Sequence, residues 1–543
     1  MEKVAQKAST CRIVLVIVGL LSILGGAAAV YSTAKGPWGY SDSVAYIVSA
    51  RNLLKGIGLG YYYPSGRFYV LTQYPPFYPL VLAGIGLFRV DLVAATRWLS
   101  IILFAATLLG AGWVFVRLSS SPTLAIPASV LMGIFPVMVT MFSSSMSEPL
   151  FIFFLLWSGF CLVGYLKHDN LLWLVLSAIL TGLLPLTRYI GIAIFFAGVV
   201  SIFLFIPGVW KERLKKAALF SAISIMPIVL WVFWVYFSVD HTLAGRGMQY
   251  DWGGLSSAFR DFRGIFLETI WKWIPFVTSS LGLTSRIRFI LITLAIIIVS
   301  GMTWLADRRV RKSMSKAGIN SDFHIFGVFG LSSLAYVVIL ALTFVFTKPA
   351  PDIDDRILLP LYPGIVMSLL GAFACWQSAW FRNRKPWLNI IPWLIVAMCV
   401  YWYYPMSSSW AVNNYHQGQG FTTYSWRNSE TIQAVRELPS GMPVVSNNAV
   451  LLLLWADHPA YEMMAKLPLD FIDQSSPYGS DETNEAQVAF RERGAALVIF
   501  DSQLREQLVQ AFGEKGLARL DSLFNGLVLG GQYADGGIYY YPK

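Results

Sequence analysis

The chain has 543 residues, of which 56% are hydrophobic, 15% aromatic and only 13% charged, with a mean hydropathy of +0.58. Soluble domains carry about 25% charged residues, so a chain this apolar cannot keep a water-compatible surface, and the composition excludes a cytosolic enzyme, a nucleic-acid binder and a secreted disulfide scaffold. The net charge of +11 divides unevenly: residues 406–543 hold 9 Lys and Arg against 15 Asp and Glu, a net of −6, which leaves a net of +17 on the apolar remainder, where basic loops set topology and touch anionic head groups.

A bilayer core of ~30 Å needs about 20 apolar helical residues. Runs of that kind occupy 13–31, 92–116, 122–141, 149–166, 170–186, 190–208, 217–238, 287–306, 323–346, 357–379 and 387–404. A further run, 76–88, rises only ~20 Å. The first run has a basic start but no small-x-small cleavage site before a soluble chain, so it reads as a span and not a signal peptide.

Basic residues in short loops orient the spans. Lys3, Lys7 and Arg12 put the N-terminus in the cytoplasm. Arg117, Lys167, the Lys211–Lys216 cluster, Arg308–Lys312 and Arg382–Lys385 fall on the same side. The alternation holds only if 76–88 enters and leaves on one face. The expectation is a polytopic α-helical protein of the plasma membrane, of bacterial type, with about eleven spans plus a short or re-entrant segment and a small C-terminal α/β soluble domain. Residues 1–404 form the membrane module, with external loops 32–75 and 239–285, and 405–543 form an external, periplasmic domain. The four cysteines (Cys11, Cys161, Cys375 and Cys399) lie in or beside apolar runs and indicate neither a disulfide nor a CxxC metal site.

The polar residues that stand out fall on the expected external face. In "GYSDSVAYIVSARNLLKGIG" Ser41 is a good N-cap, and Val44, Ile47, Val48 and Leu54 give an amphipathic helix over 42–55, lying on the membrane surface and ended by Gly56 or Gly58. Asp42 occupies its first turn, where the helix dipole favours the ionised carboxylate; it serves either as a helix-capping charge or as a base for a hydroxyl acceptor. "TQYPPFYPL" has an extended entry forced by Pro75–Pro76, which is either a plain helix start or a wall placing Gln73 and Tyr74 beside the Asp42 loop. In "SSSMSEPLFIFF" Glu148 complements a helix N-terminus, or orients an acceptor. "LLPLTRYIGI" puts Arg188 inside a membrane-depth run, where it snorkels or binds a lipid phosphate. "TKPAPDIDDRILLPLYP" carries Lys348 and Arg356 around three aspartates, a solvated acidic loop or a phosphate clamp. Loop 239–285 adds Arg246 and Arg263 among Trp252, Phe262, Trp271 and Trp273, an interfacial mix.

The tail changes character. "GMPVVSNNAVLLLLWA" and "GAALVIFDSQL" read as short buried strands near helical patterns at 428–438 and 483–493, and "LVLGGQYADGGIYYYPK" as a hairpin with a Gly-rich turn. Its "GLVLGGQ" lacks the Gly-Lys-Ser/Thr of a phosphate loop.

In order along the chain, "SDSVAYIVSARNLLKG", "QYPPFYPLVLA", "SEPLFIFFLL", "LLPLTRYIGI" and "DDRILLPLYP" resemble the GT-C glycosyltransferases, in particular the protein O-mannosyltransferase and lipid A aminoarabinose transferase branch, over about residues 13–380. The resemblance implies inverting transfer of a sugar from a polyprenyl-phosphate carrier to a protein, lipid or glycan acceptor on the external face of the cell envelope. It maps Asp42 to the family's general base, Glu148 to its second acidic position, and Arg356, supported by Arg188, to its phosphate site. The aminoarabinose branch has a lysine just before its paired prolines, where this chain has Gln73 and Tyr74; a phosphate contact is then either missing or supplied elsewhere, by Lys348 or Arg246. The oligosaccharyltransferase branch, with its WWD-type signature and paired loop acids, is not matched, so no metal or other cofactor is implied.

Two other readings use the same scaffold. A transporter or flippase is disfavoured by the lack of paired half-sequence symmetry. A non-catalytic envelope-assembly factor is kept open by the absent lysine.

Overall fold

The computed structural model describes residues 2–239, 254–276, 284–313, 321–347, 350–381, 386–439, 441–463, 482–513, 524 and 526–542. The chain forms two compact units: Met1–Thr33, Thr72–Tyr78 and Arg97–Tyr415 make the first, and Ala34–Leu71, Pro79–Thr96 and His416–Lys543 make the second.

The first unit is helical. Its centre is set by burial: 83% of the apolar window of Glu148–His168, and as much of Asp355–Phe381, lies inside the protein, against 11% for Ser285–Lys312. On that outer helix Ile296, Ile297 and Ile298 are more than half exposed, an apolar surface suited to contact with lipid. Helices in lipid gain little from hydrophobic association, so close approach and hydrogen bonds must hold them together. Ser321–Phe346 packs on Leu361–Trp376, Ile192–Phe205 and Glu148–His168. A Cβ on Gly371 would lie 2.7 Å from the backbone nitrogen of Phe326, and Ser368 Oγ donates to the Phe326 carbonyl at 3.0 Å. Tyr362 donates to the Leu131 carbonyl at 2.9 Å while its ring stacks on Phe135. The end of Glu2–Ser32 is fastened by Arg97 Nε on Thr33 Oγ1 at 2.9 Å and by Asn414 Nδ2 on the Ser32 carbonyl at 2.6 Å.

All eleven expected runs are helical, but not all have the expected length. Among the described residues eight helices are long and apolar enough to cross a membrane, or nine if one bent pair is a single span. That pair is the run 122–141, where Pro122–Ile134 and Pro136–Phe142 meet at 67°. Pro136 pushes Phe135 into an extended conformation (φ −67°, ψ 124°) and withholds a helical N–H. Runs 170–186 and 190–208 become Leu171–Thr187 and Ile192–Phe205, of 17 and 14 residues; at ~1.5 Å per residue both fall short of a ~30 Å core. Run 76–88 is the ten-residue helix Phe77–Gly86.

In the second unit the helix Ser41–Leu54 is capped by Tyr40, whose N–H donates to Ser43 Oγ at 3.0 Å; Ser41, expected as the cap, is the first helical residue. The helix also does not lie with one face in water. Val44, Tyr46, Ile47, Val48 and Ala50 are buried, and so are the polar Ser43, Ser49 and Asn52. These polar side chains are small enough to cover, and Asn52 finds the Gly60 carbonyl at 2.8 Å, which removes the cost of burying it. Its charged end is tied down: Arg51 reaches Asp457 at 3.2 Å and the Leu454 carbonyl at 2.7 Å, and Lys55 also pairs with Asp457.

Strands β1 (Gly60–Tyr62) and β2 (Phe68–Val70) form an antiparallel hairpin. The second sheet contains β3 (Val444–Ser446), β4 (Tyr461–Glu462), β5 (Ala496–Phe500), β6 (Val528–Tyr533) and β7 (Gly536–Tyr540) in the order β4-β3-β5-β7-β6. β3 runs parallel to β4 and β5, while β7 is antiparallel to β5 and β6. Leu497 and Ile499 of β5 pack with Phe490, Leu504 and Leu508 in the core. The strands at 444 and 496 and the terminal hairpin agree with the sequence reading. The stretch "AVLLLLWA" does not: Asn448 Oδ1 accepts from the Leu451 N–H at 3.2 Å, and 449–456 winds into helical turns.

Gly420 bridges to Gly39, and the Phe421 N–H donates to the Gly39 carbonyl at 3.0 Å. Its φ is +77°, and a Cβ there would lie 2.3 Å from that carbonyl oxygen. Gly420→Ala is therefore expected to destabilise the second unit by about 1–3 kcal/mol, seen as earlier unfolding of the detergent-solubilised protein; an unchanged melt would show that the bridge is not held.

Candidate functional site

Glu148 is the first residue of Glu148–His168, followed by Pro149, whose missing N–H costs nothing in a first helical turn. The helix dipole favours a carboxylate here, but the side chain is 0% exposed, and a buried charge requires partners. It has two. Arg188 Nη1 lies 2.6 Å from Glu148 Oε1, and Arg356 Nε lies 3.7 Å from the same oxygen. Arg188 also donates to Ser147 Oγ at 3.4 Å.

Arg188 stands at a break in the apolar run. Leu171–Thr187 ends with Pro185 in its last turn, Arg188 is extended (φ −150°, ψ 128°), and a 3-10 turn, Tyr189–Gly191, starts the next helix. The break is pinned from both sides: the Gly191 N–H donates to the Arg188 carbonyl at 2.7 Å, while Tyr189 donates to the Thr72 carbonyl at 2.8 Å and accepts from Trp231 Nε1 at 3.1 Å. Thr72 precedes the exposed Gln73 and the half-buried Tyr74, and Pro75 and Pro76 are buried. The Tyr189–Thr72 contact thus fastens the segment before the paired prolines to the Arg188 break.

Arg356 sits on the short helix Asp355–Leu358, capped by Asp354 Oδ1 on the Ile357 N–H at 2.8 Å. Trp273 Nε1 donates to Asp355 Oδ1 at 2.7 Å, and Tyr336 donates to the Ile357 carbonyl at 2.6 Å. Asp354 Oδ2 is 3.9 Å from Arg356 Nε, on a side chain 52% exposed.

Three of the residues singled out from sequence therefore meet: Glu148, Arg188 and Arg356. Two guanidinium groups share one buried carboxylate, and the other acid beside them, Asp354, is half in water. Such an arrangement suits an oxyanion, because planar guanidinium forks match phosphate oxygens and the carboxylate keeps the forks in place between ligands. Asp42 belongs to the second unit, where it occupies the first turn of Ser41–Leu54 and is partly exposed. Arg246 and Lys348 lie outside the described residues. The sequence reading missed Tyr189, Trp273 and Tyr336 as anchors. Their one signal was a polar tip on an aromatic ring within apolar sequence, which interfacial aromatics share.

No family model and no curated protein matches the sequence. Solved structures do match. ArnT from Cupriavidus metallidurans, in a structure bound to undecaprenyl phosphate, is 12% identical over 96% of this chain and 97% of its own, with a TM-score of 0.51. The archaeal oligosaccharyltransferase AglB from Archaeoglobus fulgidus, in complex with an inhibitory peptide and a dolichol-phosphate, is 13% identical over 96% of this chain and 73% of its own, with a TM-score of 0.50. The arabinofuranosyltransferase AftD from Mycobacteria is 12% identical over 97% of this chain and 40% of its own, with a TM-score of 0.54. At these identities the likeness is one of fold alone: this chain shares the fold of these three proteins.

Proposed function

We propose that this chain is an integral-membrane glycosyltransferase that moves a sugar from a polyprenyl-phosphate carrier to an acceptor hydroxyl on the external face, with inversion at the anomeric carbon. The observation that carries the reading is the pairing of Arg188 and Arg356 on the fully buried Glu148. In the reaction the acceptor oxygen bonds to the anomeric carbon as the carbon–oxygen bond to phosphate breaks. The hydroxyl proton passes to Asp42, and the departing phosphate dianion is neutralised by Arg356 and Arg188. A single displacement needs one carboxylate beside the acceptor, unlike hydrolases that flank the bond with two. Glu148 acts through the arginines as a positioning residue. In solved structures of this fold, ArnT holds undecaprenyl phosphate and AglB a dolichol-phosphate, which supports a carrier of that chemistry.

A second reading, a non-catalytic envelope-assembly factor, draws on Gln73 and Tyr74 standing where the aminoarabinose branch has a lysine. Asp42→Asn separates the two. The transferase reading expects turnover to fall about 10²–10⁴-fold with carrier-lipid affinity kept within about twofold; the donor and acceptor are first found by mass spectrometry of envelope lipids and glycoproteins with and without this protein. Full turnover in Asp42→Asn would remove Asp42 from the chemistry. Arg356→Ala is expected to weaken carrier-lipid binding, measured by thermal shift, at least tenfold.

Glu148→Ala leaves two guanidinium groups without their shared counter-charge. Breaking a buried pair costs about 3–5 kcal/mol, so the variant should melt well below the parent, and Glu148→Ala with Arg188→Met should recover part of the loss. Equal melting of parent and Glu148→Ala would show that the pairing does not hold the break.

A further inference from the structure

The second unit contains a cleft of about 560 Å³ with a different chemistry from the arginine cluster. One wall is the end of β1 and the turn that follows it, Tyr61 to Ser65. Tyr61 of β1 faces Tyr69 of β2 across the ladder, and Tyr63 follows two residues after Tyr61. The three rings pack mutually with centroids 5.6–6.1 Å apart. Tyr461 and Pro459 also line the cleft, together with two carboxylates, Glu462 and Glu485. No lysine or arginine lines the cleft among the described residues. The Ala449 N–H holds Glu462 Oε2 at 3.0 Å. Although the Glu462 side chain keeps solvent contact, desolvation at the cleft pushes its carboxyl up to about 7, with the Ala449 N–H pulling the other way. Desolvation, then the neighbouring Tyr63 and Tyr69, pushes the Tyr61 hydroxyl up to about 12, so that hydroxyl stays neutral near pH 7.

These features select a ligand class. Tyrosine gives a rigid apolar face and a hydroxyl at little entropic cost, which suits a molecule with C–H surfaces on one side and hydroxyl groups at its edge. Glu485, and Glu462 in its ionised form, accept hydrogen bonds from hydroxyl or ammonium donors and repel acids. The volume falls within the range of small-molecule sites, ~300–1,000 Å³, and admits a short saccharide. An acid-lined cleft is unsuited to the carrier phosphate.

We propose that this cleft binds a neutral or amino sugar unit of the acceptor, which makes the acceptor a glycan or glycolipid. The acceptor assignment rests on the transferase reading; the binding itself does not.

The test uses the full-length protein in detergent, titrated calorimetrically with neutral, amino-bearing and acidic oligosaccharides and with unglycosylated peptides. Neutral or amino saccharides should bind, and acidic ones at least tenfold more weakly. Tyr63 is 43% exposed, so Tyr63→Ala leaves the fold intact; it should weaken binding at least tenfold, and Tyr63→Trp should restore it within about threefold. Saccharide binding indifferent to Tyr63→Ala, a preference for acidic saccharides, or peptide binding that Tyr63→Ala abolishes would each overturn the proposal. Under turnover Tyr63→Ala should raise the acceptor KM with kcat kept, and an unchanged KM overturns the acceptor assignment. Saccharide binding in a protein that transfers no sugar would instead overturn the transferase reading and leave the binding site standing.

Discussion

A carboxylate with no access to water, at the start of a helix in the middle of an apolar bundle, forces much of what surrounds it. Glu148 is tolerable only because Arg188 comes within 2.6 Å and Arg356 approaches the same oxygen. Arg188 in turn exists at that depth only where the helix is interrupted, and the interruption needs its own anchors, which Tyr189, Trp231 and Thr72 provide. Arg356 rides on one turn of helix held by Asp354, Trp273 and Tyr336. The two arginines meet Glu148 as ion pairs, while the segments that carry them are held by hydrogen bonds of their own, so the cluster depends on each of these contacts.

The same break explains the shape of the first unit. A continuous apolar stretch would have given two ordinary crossings; Pro185 and the extended Arg188 shorten both flanking helices to 17 and 14 residues. Pro136 does similar work at Phe135. The first unit thus spends part of its regular hydrogen bonding on irregular backbone, which is tolerated at membrane depth where protein surrounds it.

The second unit follows different rules. Its helix Ser41–Leu54 hides small polar residues instead of presenting a wet face, and its charged end is fixed to Asp457. The first-loop hairpin and the C-terminal segment therefore pack as parts of one unit, and the tyrosine cleft is built from both.

Much was legible in the sequence because hydropathy and charge act locally. Twenty apolar residues in a row demand a helix in lipid wherever they occur, so the positions of the eleven helical runs could be read directly. Charges inside or at the edges of such runs are costly enough to mark themselves, which is why Glu148, Arg188 and Arg356 stood out before their distances were known. A strand such as Ala496–Phe500, apolar at every position, was equally plain. Span lengths were less legible, since whether a proline ends, bends or merely caps a helix depends on what replaces its lost hydrogen bond. The burial of Ser41–Leu54 and the meeting of one carboxylate with two guanidinium groups from segments some 40 and 210 residues further along the chain were decided by tertiary structure alone, because each depends on long-range contacts that no local pattern encodes.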